Sequence, residues 1–389
     1  MENFDFYSPT YFAFGDGKEN ECGDYIKEFQ GNHVLIHYGG KSAIKSGLLE
    51  RVKESLTKSH ITYEELGGVV PNPRSDLVRE GISLCREKKV DFILAVGGGS
   101  VIDSAKAIAL GTIYQGDFWD FYIGKVVPKK ALPVATILTI AAAGSEGSGS
   151  SVITNVEGMV KRGTTSNIIR PKFSILNPAL TTTLPLYQTA CGATDIMAHV
   201  FERYFTNTKD VEVTDRLGEA MLLTIIHEIP KVMKSPTDYQ ARANVMWAGM
   251  VAHNDLVGVG RKHDWNSHKI EHELSAYYDC AHGAGLAVIM PAWMQYVMHH
   301  DILRFAQVAT RVWGCTMDQL HPENTAQEGI DSFKKFLSSI GMPVTLKELG
   351  AKEEDIPMLI KNMGLGEGKL DGFLPLDTKA IEEIYNLAK

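Results

Sequence analysis

Hydrophobic and polar positions change their rhythm once along this chain. In the first 180 residues, short β-branched runs alternate with amphipathic stretches: His33-Val-Leu-Ile-His-Tyr38, a helical pattern from Leu48 to Ser59, Ile61-Thr-Tyr63, a second helical pattern from Ser75 to Lys88, and Phe92-Ile-Leu-Ala-Val96. Apolar runs of strand length between amphipathic segments predict a βαβα order, and hence a parallel sheet covered by helices. After Leu184-Pro185 the strand pattern stops. Helical periodicity follows from Tyr187 to Phe205, Val211 to Ser235, Tyr239 to His253, His268 to Tyr278 and Ile302 to Trp313. Pro178, Pro185 and the Thr181-Thr-Thr183 triplet mark the change, so the expected division is an α/β domain over residues 1–180 and an all-α domain over residues 181–389. With no flexible linker between them, one half is free to hold a cofactor and the other a reactive centre.

Composition narrows the classes. The chain has 389 residues, 44% of them hydrophobic, enough for two ordinary globular cores. Its 39 basic and 47 acidic residues leave a net charge of -8, with no basic block of the kind that follows a phosphate backbone, so nucleic acid is not an expected partner. The cysteines (Cys22, Cys85, Cys191, Cys280, Cys315) are odd in number and form no CxxC, which argues against a disulfide framework or a thiolate zinc cluster and for a reducing compartment. Met1-Glu-Asn-Phe-Asp5 lacks a basic start and an apolar core, and the longest weakly polar run, Ala131 to Gly144, falls short of the ~20 residues a membrane span needs. A cytoplasmic protein without a membrane segment is expected.

Three glycine-rich turns carry candidate cofactor chemistry. Gly97-Gly98-Gly99-Ser100 follows the run ending at Val96 and opens a helical Val101-Ile-Asp103-Ser-Ala-Lys106. Strand, glycine turn and helix is the context in which backbone amides and a helix N-terminus receive a phosphate, and Ser100 adds a hydroxyl. The turn is not a GxGxxG fingerprint, and the ribose-binding acid expected ~20 residues on is missing. Tyr38-Gly39-Gly40-Lys41-Ser42 ends the earlier strand. It offers no carboxylate to a ribose 2'-hydroxyl, whereas Lys41, Ser42 and the Gly40 backbone suit a 2'-phosphate, which favours NADP over NAD. The third segment, Thr139 to Gly149, is rich in small residues that let backbone and ligand approach.

Most histidines fall in the second half. Asp195-x3-His199 and His268-x3-His272 place pairs on one helical face, and His282 follows in an apparent loop. Helices bearing such pairs plus a loop histidine can supply a divalent ion with converging N and O ligands, though spacing alone leaves open which of them bind. His253 and His263 are read as structural, and His299-His300 as an exposed helix end.

Taken in order, Gly97-Gly-Gly-Ser100-Val-Ile-Asp103, Gly144-Ser-Glu146, Asp195-x3-His199, His268-x3-His272 and His282-Gly283 resemble the iron-containing alcohol dehydrogenase family over essentially the whole chain. Phe4 to Gly17, Tyr38-Gly-Gly40, Gly68-Val-Val-Pro-Asn72-Pro73 and Ala243-Asn-Val-Met-Trp247-Ala248 are most similar to its butanol dehydrogenase branch and to related NADPH-dependent aldehyde reductases. The resemblance implies a Rossmann-like dinucleotide-binding domain followed by a helical metal-binding domain, an architecture shared with dehydroquinate synthase, and a homodimer. It implies Asp195, His199, His268 and His282 as ligands of Fe(II) or another divalent ion such as zinc, with His272 beside the metal but not on it; one helical turn from His268, His272 is the best-placed titratable group to move a proton. Cofactor contacts implied by it are Gly40, Ser42, Gly97, Gly98, Gly99, Ser100, Asp103, Thr139, Ser145 and Lys161, with Gly40 and Ser42 matching positions that hold the 2'-phosphate of NADPH.

The implied activity is the interconversion of butanol-like alcohols and aldehydes with NAD(P)H, NADPH favoured. Relatives usually carry Thr at Ala143 and often Asn at Ser148, so the nicotinamide end departs from the pattern. The segment Val259 to Trp265 is more basic than the family suggests and would shape either a substrate mouth or a surface loop. Glycerol dehydrogenase-like diol oxidation is one alternative. A dehydroquinate synthase-like lyase is another, and only Arg261-Lys262 could meet its acidic substrate.

Overall fold

Strands with apolar side chains on both faces form the middle of a six-stranded parallel sheet. A computed structural model describes residues 1–389. Its strands are β1 (Tyr11–Phe14), β2 (His33–Tyr38), β3 (Thr62–Leu66), β4 (Phe92–Gly97), β5 (Val134–Leu138), β6 (Ser150–Asn155), β7 (Val160–Thr165) and β8 (Phe173–Leu176). The sheet order is β1-β8-β5-β4-β2-β3, while β6 and β7 pair separately as an antiparallel hairpin. β4 and β5 are buried at every position and sit centrally, whereas β1 and β3, with exposed Tyr11 and Thr62, form the edges. That is the expected cost of burial: only strands with no polar face can be covered on both sides.

Chain order and space diverge at two places, the first being β1, which pairs with β8 at the edge away from β2. From β2 the chain steps outward to β3, then returns past β2 to β4 and continues through β5 to β8. The direction of winding therefore reverses between β2 and β4, and at such a switch point the loops leaving the two strands part and open a crevice. The glycine turns after β2 and β4 lie at this reversal.

Helix Leu48–Lys58 buries Leu48, Leu49, Val52 and Leu56 in one core with Ile36, Leu94, Val96 and Ile137 of the sheet. Each such side chain contributes about 1.5–3 kcal/mol. Helices Ser75–Lys88 and Gly99–Ile113 interlock through glycines: a Cβ on Gly81 would lie 2.4 Å from Ile108, and one on Gly111 would lie 2.1 Å from Ile82.

The chain divides into a sheet unit, Tyr7–Leu184 with Thr237–Met250, and a helical unit, Met1–Phe6 with Pro185–Pro236 and Val251–Lys389. Residues 237–250 thus belong with the sheet although their periodicity is helical, because Trp247 packs edge-on against Phe12 and Phe14, with ring centres 6.0 and 5.8 Å away. Conversely the first residues join the helices: the Met1 amine donates to Lys209 O at 2.9 Å and Glu2 N to Gly260 O at 2.8 Å.

The helical unit is built on Leu186–Tyr204, Glu212–Lys234, Asn266–Tyr278, His282–Val297, Ile302–Val312, Pro322–Ser339 and Thr378–Leu387. His282 corrects an expectation, since it opens a helix and does not sit in a loop. That helix is buried from Gly283 to Met294 and has no polar stripe, so it shows no periodicity. No helix is long and apolar enough to cross a membrane.

Arg261 is also corrected. Its side chain is fully buried, 2.8 Å from Asp215, and donates to Arg203 O at 3.2 Å and Val211 O at 3.1 Å. Arg304 shares the same carboxylate. The arginine ties helices together and is not available to an acidic substrate.

Candidate active site

Two helices and the start of a third bring ligand atoms of Asp195, His268 and His282 within 4.8 Å of one another, with His199 beside Asp195 but outside that group. Asp195 and His199 project from one face of Leu186–Tyr204, His268 from the first turn of Asn266–Tyr278, and His282 from the opening residue of the next helix. Close approach is possible because the third helix begins with small residues: a Cβ on Gly283 would lie 2.0 Å from the Cys191 carbonyl oxygen. Asp195 Oδ1 lies 3.6 Å from His199 Nδ1, 3.8 Å from His268 Nε2 and 3.8 Å from His282 Nε2. The rings of His199 and His268 stack with centres 4.9 Å apart.

Asp195 Oδ1, His199 Nδ1 and His268 Nε2 are buried and have no hydrogen-bond partner. An unsatisfied buried polar atom costs about 1–3 kcal/mol, and two ring nitrogens gathered about an equally unpartnered carboxylate oxygen are unstable unless something binds there. A carboxylate and imidazole nitrogens fit a divalent cation. Burial and the neighbouring His253 and His268 hold His199 well below the ordinary histidine range, so its ring is neutral and has a lone pair to give.

Outer carboxylates orient the rings. Glu202 Oε1 lies 3.0 Å from His268 Nδ1 and accepts the His268 amide at 3.1 Å, and Glu271 Oε2 contacts His282 Nδ1. The hydrogen bond of His282 Nδ1 to Glu271 turns its Nε2 inward, whereas Glu202 meets His268 Nδ1 as a close charge without a hydrogen bond. Burial disfavours the charged form of His268, but Glu202 and Asp195 outweigh it and raise its pKa to about 9. A cation would replace that proton. The sequence reading missed both glutamates. The signal was an acid three positions after each histidine, in His199-Val-Phe-Glu202 and His268-Lys-Ile-Glu271.

His272 lies one turn beyond His268, partly buried, with its ring centre 5.7 Å from that of His282. With Glu271 and His282 it forms a second group of potential ligands, but Glu271 is fully buried against the His282 ring. His253, read as structural, packs its ring 4.1 Å from His199. His263 Nε2 is 2.7 Å from Gly258 O.

In the sheet unit, the expected cofactor residues gather at the carboxyl ends of β2, β4 and β5. Gly40 and Ser42 lie at the start of helix Lys41–Lys45, and Gly97 to Ser100 run from β4 into helix Gly99–Ile113. The first bonds of that helix run from Val101 and Ile102 to Gly98 O, so the Gly99 and Ser100 amides precede its ladder. Gly98 must stay glycine, since its Cβ would lie 2.1 Å from Ile140 of the segment after β5. Thr139 N donates to Gly97 O at 3.1 Å, which joins the second and third turns.

Asp103 and Ser145 are bonded to each other, Ser145 Oγ donating to Asp103 Oδ1 at 2.6 Å. Lys161 Nζ donates to Asn72 Oδ1 at 3.0 Å. The first pair shapes the turn that these residues were expected to line.

Both halves match known domains. Residues 9–178 match the iron-containing alcohol dehydrogenase model, and residues 189–388 match the C-terminal model of the same family. The chain belongs to the iron-containing alcohol dehydrogenase family. Among family members, NADH-dependent butanol dehydrogenase A of Clostridium acetobutylicum is 41% identical over 387 residues, 99% of both chains. The NADPH-dependent aldehyde reductase YqhD of Escherichia coli is 36% identical over 371 residues, 93% of both. The crystal structure of NADH-dependent butanol dehydrogenase A from Thermotoga maritima superposes with a TM-score of 0.96 at 40% identity, covering 100% of this chain and 99% of that one. The parallel-sheet and helical units therefore have the fold of the family.

Proposed function

We propose that this alcohol dehydrogenase family member interconverts butanol-like primary alcohols and aldehydes with a nicotinamide coenzyme, using a divalent cation held by Asp195, His199, His268 and His282. The observation that carries the reading is the meeting of Asp195, His268 and His282, whose ligand atoms lie within 4.8 Å of one another, with the unpartnered His199 Nδ1 3.6 Å from Asp195 Oδ1. Three imidazoles and a carboxylate without thiolate suit Fe(II), which we favour, and also accept zinc. When bound, the cation supplies Lewis acidity to a substrate oxygen and the coenzyme carries the hydride.

The chain's own residues supply orientation and the proton. Glu202 and Glu271 hold the rings of His268 and His282. His272 is the titratable side chain we assign to moving the proton of the substrate oxygen, and His272→Asn should flatten the pH dependence of turnover. The backbone amides of Gly99 and Ser100 offer donors to a diphosphate. Because the turn Gly39-Gly40-Lys41-Ser42 has no carboxylate, we assign NADPH as the better coenzyme and NADH as a second. The names of the relatives support the substrate class and divide on the coenzyme, since butanol dehydrogenase A is called NADH-dependent and YqhD NADPH-dependent.

The test is anaerobic butanal reduction followed by nicotinamide absorbance, with NADPH and NADH in parallel, before and after chelation and reconstitution with Fe(II) or Zn(II). Activity lost on chelation and restored by metal is expected. Turnover with NADH alone removes the 2'-phosphate assignment, and chelator-resistant turnover removes the metal.

A further inference from the structure

The most deeply buried ammonium group in the sheet unit belongs to a residue with no assigned role. Lys106, 0% exposed, donates to Ser145 O at 2.7 Å, Ser145 Oγ at 2.8 Å, Ser148 O at 2.9 Å and Ser150 O at 2.8 Å. Three of the four acceptors belong to the irregular segment after β5, and the fourth, Ser150 O, opens β6. One turn earlier on the same helix, Asp103 accepts from Ser145 Oγ at 2.6 Å and from the Val152 amide at 2.9 Å, and its carbonyl accepts from Ser151 Oγ at 2.8 Å. Helix Gly99–Ile113 thus grips residues 145–152 from two successive turns.

The position of this helix gives the grip its meaning. Its first amides are those offered to the diphosphate, and its opening turn touches the segment after β5 again, where a Cβ on Gly99 would lie 3.1 Å from Ala143. A buried ammonium is costly where a methionine of similar length would pack without desolvation. The lysine earns its place only through the carbonyls it gathers, and these belong to the loop bordering the glycine turn.

We propose that Lys106 is a positioning residue for the nicotinamide coenzyme, holding the Ser145–Ser150 loop at a fixed distance from the helix N-terminus that receives the diphosphate. The inference rests on the coenzyme reading above. Loss of the ammonium frees the loop, so coenzyme binding weakens while the metal set, in the other unit, is untouched.

The experiment measures NADPH and NADH dissociation constants by nicotinamide fluorescence on the full-length, metal-loaded protein without alcohol or aldehyde. Co(II) affinity is read from its visible spectrum as a control. Lys106→Met should weaken coenzyme binding ~10- to 100-fold, the range expected when a binding wall shifts by about 1 Å, and raise the coenzyme KM far more than the aldehyde KM. Lys106→Gln replaces the ammonium by a neutral donor and should weaken coenzyme about 3- to 10-fold, less than the methionine, which preserves the test if the methionine variant does not fold. Variants that melt earlier but bind coenzyme like wild type would reduce Lys106 to a stabilising residue and overturn the proposal. Wild-type protein that binds Co(II) but neither coenzyme would instead overturn the coenzyme reading, and the inference with it.

Discussion

Glu271→Gln isolates what an outer carboxylate does for the metal set. Glu271 is fully buried, contacts His282 Nδ1, and is so closely packed that a Cβ on Gly285 would lie 2.5 Å from its Oε1. Glutamine has the same shape and keeps an oxygen that accepts from Nδ1, so the variant removes charge and little else. Exchanging a charge-assisted hydrogen bond for a neutral one costs about 1–2 kcal/mol, and loss of such a partner typically weakens metal binding by ~10- to 100-fold. We expect about 10-fold for Glu271→Gln, and a similar loss for Glu202→Gln through His268. The assay is Co(II) titration against a competing chelator, with circular dichroism to show that the helices are intact. Unchanged affinity in both variants would refute the orienting role. A loss as large as that of Asp195→Asn would show the glutamate to be a ligand itself.

Other expectations follow from single contacts. Burial pushes Glu146 from an ordinary 4.5 up to about 7. The folded state therefore keeps this proton where the unfolded chain has lost it, so its stabilising effect is complete below about 4.5 and disappears as pH rises through about 7, a change of about 3 kcal/mol. Urea unfolding of metal-free wild type should weaken from pH 5 to pH 8 more than that of Glu146→Gln, and parallel profiles would contradict the assignment. Arg261→Met should lose about 1–3 kcal/mol of stability by leaving the Arg203 carbonyl unpaired, while Val211 O keeps the Asp215 amide and Asp215 keeps Arg304. Its aldehyde KM should stay at the wild-type value, and a raised KM with unchanged stability would return the residue to the substrate mouth. Gly98→Ala drives a methyl into Ile140 and should cost about 1–3 kcal/mol together with coenzyme affinity, read by thermal melting and fluorescence titration.

The periodic segments were legible because one physical fact, a face turned to a core, is written at fixed spacing. Helix Ser75–Lys88 and strand His33–Tyr38 lie where the pattern predicts them. Helix His282–Val297 left no such trace because it is covered all round, and a segment without a wet side has no period. Trp247 shows a different limit: its helix is regular, but it joins the sheet unit through two aromatic contacts that periodicity does not encode.

By itself the sequence determined the kinds of atoms this protein can bring to a reaction: glycine amides after two strands, one aspartate and its histidines at helical spacing, and no thiolate pair. Local geometry suffices for this, since residues four apart share a face and a glycine after a strand frees an amide. Tertiary structure decided which atoms meet. Glu202 stands one turn after His199 yet serves His268, and Glu271 stands one turn after His268 yet serves His282. Lys106 gathers carbonyls some 40 residues away. Such pairings are set by how closely helices and loops pack, and contact across elements depends on small residues such as Gly283 and Gly285 whose purpose shows only once their neighbours are in place.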